Sequence, residues 1–264
     1  LDPRDTAARS TLSDAEFEAV RDSDLMVLIT PYLLIGVVVL VMFAVIALYK
    51  MPRNGDKSHK IDFLPTLRRI FAIPRYREGV VAQFFYVGAQ IMCWTFIIQY
   101  GTRILMEEGM TEKAAEVMSQ RYNIIAMVIF CCSRFICTYL LRYVNAGRLL
   151  AVLATAAALL TVGVIILQDR TGLYCLVGVS ACMSLMFPTI YGIALEGLGD
   201  DAKFGAAGLI MAILGGSVLP PLQARIIDCG TVSGFPAVNT SFVLPLICFI
   251  VVLLYGLRRS HDPA

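Results

Sequence analysis

Four polar or amphipathic side chains share one stripe of an apolar stretch at residues 80–105. Gln83, Tyr86, Gln90 and Trp94 are separated by three, four and four residues, which sets them along one face of a helix. Gln99 lies about a turn beyond, off the centre of the stripe. An amide in hydrocarbon without a partner costs several kcal/mol, so both stripe glutamines must point into protein or water. Their chemistry suits a sugar: an amide donates and accepts to paired hydroxyls, while an indole ring packs on the apolar C–H face of a pyranose. The same spacing also serves hydrogen bonding between helices. The stripe therefore reads as a pocket wall or as interhelical glue.

Other groups with chemical potential are few. Arg134 is the only strongly charged residue deep within an apolar stretch, a costly placement that marks a functional or gating contact; Arg142, two turns on, also offers a route by which it snorkels to the surface. Tyr122 and Asn123 lie near the start of the same stretch, in a pocket or at an interface. Residues 173–195 carry Ser180, Ser184, Phe187, Pro188, Thr189 and Tyr191, and Pro188 removes a helical hydrogen bond there. The next stretch holds Gly205, Gly208, Gly215 and Gly216, whose small size admits close helix approach, then Pro220 and Pro221, expected to break or bend it. The eight cysteines have no metal-ligand spacing and read as small apolar packing groups. His59 and His261 lie outside the apolar stretches, so no metal site is expected. No Asp or Glu falls mid-stretch; Glu116 and Glu196 sit near ends. Asn239-Thr240-Ser241 matches a glycosylation pattern, without a context that favours its use.

The elements that must position these groups are membrane helices. Seven apolar stretches, near residues 26–49, 80–105, 120–141, 149–167, 173–195, 205–226 and 240–257, each approach the roughly 20 residues that cross a bilayer. Composition agrees: 58% hydrophobic, 16% charged, mean hydropathy +0.74, against about 25% charged in soluble domains. A net charge of +2 gives no reason to expect a nucleic-acid partner. Residues 1–25 form an acidic polar stretch, without an initiator methionine or a signal peptide, and read as a loop cut open; the expectation is a fragment of a longer protein.

Charge orients the helices. Lys50 to Arg77 is the densest basic run, which the positive-inside rule assigns to the cytoplasm. Alternation then sets thirteen of the 22 Lys and Arg residues inside against eight outside, Arg134 apart. The N-terminal segment is expected outside and the C-terminus inside. One helix, a polar linker, then six closely connected helices is a one-plus-six pattern. It fits the last helix of the first half, the linker and the whole second half of a major facilitator transporter. The expected divisions are an outward loop at 1–25, a spanning helix at 26–50, a basic linker at 51–76 and a six-helix half at 77–264 with a cavity at mid-membrane. Within the linker, Phe63, Leu64, Leu67, Ile70 and Phe71 recur at helical spacing opposite Arg68 and Arg69, as in a surface-lying amphipathic piece.

Three segments carry a family resemblance: AQFFYVGAQIMCWTFIIQY at 82–100, SRFICTYLLRY at 133–143 and MSLMFPTIYGIALEGLGDDAKFGAAGLIMAILGGSVLPPLQ at 183–223. They resemble the fucose:proton symporter family of the major facilitator superfamily, most of all its L-fucose permeases. The resemblance implies a proton-driven monosaccharide carrier in a bacterial inner membrane, with no cofactor beyond the coupled proton. It also implies that the coupling acids belong to the first half, in keeping with the absence of mid-helix carboxylates here. The substrate contacts expected are Gln83, Tyr86, Gln90, Trp94, Asn123 and Phe187; the gating or structural residues are Arg134, Pro188, Gly215, Gly216 and Pro220. The aromatic before Pro-Thr-Ile is a tyrosine in some fucose carriers and Phe187 here, which keeps ring packing without a hydroxyl. Carriers of glucose, galactose or N-acetylglucosamine are the alternatives within the family. A seven-helix receptor or sensor is the alternative outside it, although all five lysines lie in loops or at helix ends, which excludes a retinal Schiff base. An intramembrane enzyme would need an activated nucleophile or metal ligands, and none is evident.

Overall fold

In hydrocarbon every backbone N–H and C=O must be satisfied within its own segment, so apolar stretches of this length fold as helices. The computed structural model describes residues 13–48, 63–232 and 235–260. The start of the chain, the first half of the basic run after Leu48, His59 and His261 lie outside the described residues. The chain divides into two units, residues 1–60 and 61–264.

The first unit contains one described helix, α1, Asp14–Leu48. Its start corrects the reading of residues 1–25 as a loop: from Asp14 onward that acidic segment is helical. A reason is the glutamate half of a capping box. The backbone N–H and hydroxyl of Ser13 both donate to Glu16 Oε2, at 3.2 and 2.8 Å. The apolar part of α1, Ile29–Val45, is shorter than the six long apolar helices of the second unit. The described fold is therefore six candidate spans plus a shorter apolar helix, where the sequence suggests seven spans.

The second unit begins with α2, Phe63–Ala72, the amphipathic piece of the linker. It does not merely lie on a surface. Ile70 is buried in a small core with Tyr76, Ala194, Leu198 and Leu209. Arg69 makes a two-pronged contact with Asp201, at 2.8 and 2.7 Å. The hydrogen bond and charge of Asp201 raise the Arg69 pKa above its already high usual value.

The six candidate spans follow. They are α3, Pro74–Glu107; α4, Glu112–Leu140; α5, Ala146–Ile166; the pair α6, Arg170–Met183, and α7, Met186–Leu195; the pair α8, Ala202–Met211, and α9, Gly215–Asp228; and the pair α10, Ala237–Ser241, and α11, Val243–Arg259. A two-residue hairpin, Thr231–Val232 with Phe235–Pro236, precedes α10. Side chains close the turns: Asn145 Oδ1 accepts from the N–H groups of Gly147 and Arg148, and Asp169 Oδ1 from those of Thr171 and Gly172. Such caps supply the acceptors that a helix N-terminus lacks.

α3 is the central post, packing on α4, α6, α7, α9 and α11, while α5 packs on α6 and α11. Between apolar helices in lipid, close van der Waals contact carries the association, and small residues make it possible. Gly215 of α9 lies against the Phe84 carbonyl, with no room for a Cβ; a Cβ at Gly216 would lie 3.0 Å from Ile91. The interruption of this span is not at the prolines, as the sequence suggests. α9 runs on through Pro220 and Pro221, and the irregular turn is the 3₁₀ segment Ala212–Leu214 ahead of them.

Candidate functional site

The sixth and seventh helices are one span interrupted at Ser184–Leu185, one turn before Pro188. Proline explains the position of the break. An α-helix pairs the N–H of residue i with the carbonyl of residue i−4, and Pro188 has no N–H to offer Ser184. That carbonyl is claimed from outside instead, by Arg134 Nε of α4 at 3.1 Å. The neighbouring Met183 carbonyl accepts the Tyr86 hydroxyl of α3 at 2.8 Å. Two helices thus close the opened backbone of a third. The sequence marked Arg134 as the unusual charge, and the structure gives it a specific task.

Aromatic rings frame the same break. Trp94 Nε1 donates to Ser180 Oγ at 3.3 Å, and its ring meets Phe130 edge-on at 5.0 Å between centroids. The Arg134 guanidinium lies 5.2 Å from the Phe130 centroid, a cation–π contact worth about 0.5–1 kcal/mol where exposed. Phe187 meets Tyr86 at 6.3 Å and stacks on Tyr191 at 6.4 Å. Trp94, Phe130, Arg134, Tyr86 and Phe187 therefore form a linked set around the break, drawn from α3, α4 and α7.

The glutamine stripe shares one face but two environments. Gln83 and Tyr86 are fully buried within the unit, whereas Gln90 and Trp94 are half-buried. Both amide atoms of Gln83, the Ser184 hydroxyl and the Asn123 side-chain oxygen are buried without a hydrogen-bond partner. Buried polar groups ordinarily have partners, so these positions stand out as places for water or ligand. Gly215 and Gly216 belong to the α9 contact with α3, against Phe84, Val87 and Ile91, and Pro220 lies further along α9. The two cavities described lie elsewhere, one between the start of α3 and the end of α11, the other at the start of α4; the cavity expected at mid-membrane is not among them.

Sequence reasoning passed over two participants. Phe130 lies one turn before Arg134 on the same helix face, a cue that was available. Asn239 is no surface glycosylation acceptor: it is buried, its amide donates to the Val164 carbonyl at 3.1 Å and its oxygen accepts from Arg103 at 2.6 Å. Tyr100 donates to the Val164 and Leu167 carbonyls at 3.0 and 2.8 Å. This hub ties α3, α5 and α10 together at the end opposite Arg77. Among the described residues no cluster of His, Cys, Asp or Glu could hold a metal ion.

No protein-family model matches the chain. Its fold is that of the major facilitator superfamily: it superposes on the crystal structure of the E. coli fucose:proton symporter, FucP, with a TM-score of 0.77 and 29% identity over 99% of this chain and 62% of that one. In sequence it is 49% identical over 261 residues to the L-fucose-proton symporter of Haemophilus influenzae, covering 97% of this chain and 59% of that protein. Identity to the L-fucose-proton symporter of E. coli is 30% over 254 residues, 95% and 56% of the two chains. A glucose/galactose transporter of Brucella abortus is 27% identical over 260 residues, 97% and 58%. The chain belongs to the fucose:proton symporter family, a family of membrane transporters and not of enzymes. It spans somewhat over half the length of these curated relatives.

Proposed function

We propose that this chain forms part of a secondary transporter that imports L-fucose with a proton across a bacterial inner membrane. The observation that carries the reading is the 49% identity, over nearly the whole chain, to a protein named as an L-fucose-proton symporter. In this reading α1 is the last helix of the first half, and residues 77–264 are the second half. The basic run after α1 faces the cytoplasm with the C-terminus, and the N-terminal segment faces outward.

Gln90, Trp94 and Phe187, with Asn123 nearby, are the sugar contacts; the half-buried rings pack on the C–H face and the amides pair with hydroxyls. Gln83 and Tyr86 stand behind them, Tyr86 with its hydroxyl committed to the Met183 backbone. Arg134, Pro188, Gly215, Gly216 and Pro220 are structural or gating residues. The carboxylates in the described parts of the candidate spans lie toward helix ends, so the coupling acid belongs to the first half.

The test is uptake of radiolabelled L-fucose into proteoliposomes holding the full-length carrier under an imposed proton gradient, with unlabelled galactose, glucose and N-acetylglucosamine as competitors. Expected is accumulation that collapses with the gradient and is competed by L-fucose above the others. Preferential competition by galactose and glucose would move the carrier to the second reading, the one favoured by its likeness to the glucose/galactose transporter of Brucella abortus. No sugar accumulation at all would overturn both.

A further inference from the structure

The start of α3 and the end of α11 enclose a groove of about 300 Å³ that plays no part in the sugar site. Its lining is graded along the helices. Arg77 of α3 and Arg258 of α11 stand at the helix ends, and Val81, Val251, Leu254 and Tyr255 line it further in. Val81 follows Arg77 by one turn, and Val251 precedes Arg258 by two, so the apolar floor extends roughly 10 Å from the charges along the helix axis. Val81 and Leu254 are 45% and 56% exposed, and apolar side chains so open are natural neighbours of hydrocarbon.

The charges are in excess. Glu78 pairs with Arg258 at 2.7 Å and with Arg259 at 2.8 Å, while Arg77 makes no ion pair among the described residues. In the lining of the groove one carboxylate faces two guanidiniums, Arg77 and Arg258. A positive mouth above an apolar wall is complementary to an amphiphile with a negative head. Basic pockets between spanning helices are suited to anionic headgroups, and a guanidinium grips phosphate through a fork of donors. A sugar or a soluble anion would leave the apolar wall unused, and a zwitterionic lipid would bring a choline or ethanolamine cation against the arginines.

We propose that this groove binds one anionic glycerophospholipid, its phosphate held by Arg77 and Arg258 and an acyl chain laid over Val81, Val251 and Leu254.

The experiment is native mass spectrometry of the full-length carrier, released from detergent and titrated with dioleoyl phosphatidylglycerol or dioleoyl phosphatidylcholine. Expected is a first phosphatidylglycerol adduct at lower lipid concentration than the phosphatidylcholine one. Arg77→Gln breaks no ion pair among the described residues; it should weaken that adduct about fivefold, the value of one basic residue near an anionic lipid. Adding Arg258→Gln, which leaves Glu78 on Arg259, should raise the loss to roughly 25-fold. Arg148→Gln, on a different helix at the same end, should change nothing. Equal binding of the two lipids, an adduct indifferent to Arg77→Gln, or full displacement by soluble glycerol 3-phosphate would each overturn the proposal. The first of these is also the outcome if the other half of the carrier covers the groove.

Discussion

α3 and α4 are neighbours in sequence and of similar apolar character, yet 56% of the apolar window of α3 is buried against 6% of that of α4. α3 spends its surface on five helices of its own unit. α4 leaves Ile124, Val128, Phe135 and Ile136 open and commits mainly Phe130, Arg134 and a few small residues to the unit. Hydropathy alone cannot separate these two roles, because hydrocarbon and a protein core both accept leucine and isoleucine. What separates them is how many small residues and partnered polar groups each has: α3 has many, and α4 relies on few, chiefly Ser119 against Thr102 and Arg134 against Ser184. A post tolerates no added volume, whereas a loosely packed helix depends on its few specific bonds.

The largest effect should come from crowding the post. Gly215→Leu forces a side chain into the Phe84 carbonyl; overpacking of this kind typically costs 1–3 kcal/mol, occasionally more. Thermal unfolding followed by size-exclusion chromatography should show a much lowered midpoint, with little uptake from protein that survives. An equally large change on α4, Val128→Trp, should be nearly silent by the same measurement. If it is not, the exposed face of α4 is covered in the whole carrier and the contrast narrows.

Breaking the arginine bond of α4 comes next. Arg134→Gln strands the Ser184 carbonyl, at a cost of about 1–3 kcal/mol for a buried unsatisfied acceptor. Pro188→Ala restores the missing N–H, so the same arginine change should cost less in that background. Stability measured across the double-mutant cycle gives the coupling; additive losses would mean that Arg134 does not act by closing the break.

A smaller effect is expected at the proposed sugar contact. Gln90→Ala should weaken L-fucose binding by about 0.5–1.5 kcal/mol, the worth of a hydrogen bond to a neutral hydroxyl, with thermal stability unchanged. A fall in stability with unaltered binding would assign Gln90 to helix packing. Smallest of all is Glu196→Gln. Glu196 is 61% exposed and pairs with Arg75 at 3.1 Å; exposed pairs contribute about 0–1 kcal/mol. Proton-driven accumulation and sugar counterflow should both persist. Loss of accumulation with counterflow spared would bring the coupling acid into this part of the carrier.

The six long spans were legible because twenty apolar residues leave few alternatives; their ends fall within three residues of the stretches read from the sequence, except that α3 and α4 start six and eight residues earlier. The helical start at Asp14 was legible too, in Ser13-Asp14-Ala15-Glu16, but the acidic composition outweighed the capping signal. Pro188 announced a break without saying that it would fall at Ser184–Leu185 or that Arg134 would close it, since that needs the register of α4 against α7. Pro220 and Pro221 misled, because a helix absorbs two lost donors where its neighbours hold it. The glutamine stripe was read as a face, correctly, but spacing does not report depth. Gln83 is enclosed and Gln90 is not, and only the packing of α3 distinguishes them.

The hub at Asn239 has a consequence for how the protein is made. The Val164 carbonyl, near the end of α5, gains its second donor, the Asn239 amide, from 75 residues downstream, while Arg103 donates to an acceptor 136 residues downstream. At roughly 5–20 residues per second of synthesis, Asn239 emerges from the ribosome about 4–15 seconds after the group it must satisfy. The final span therefore supplies the last bonds of the hub. A chain that stops short of it leaves the Val164 carbonyl to Tyr100 alone and Arg103 to Glu107 alone, so the end of α5 is fully tied to α3 only once the last span is in place.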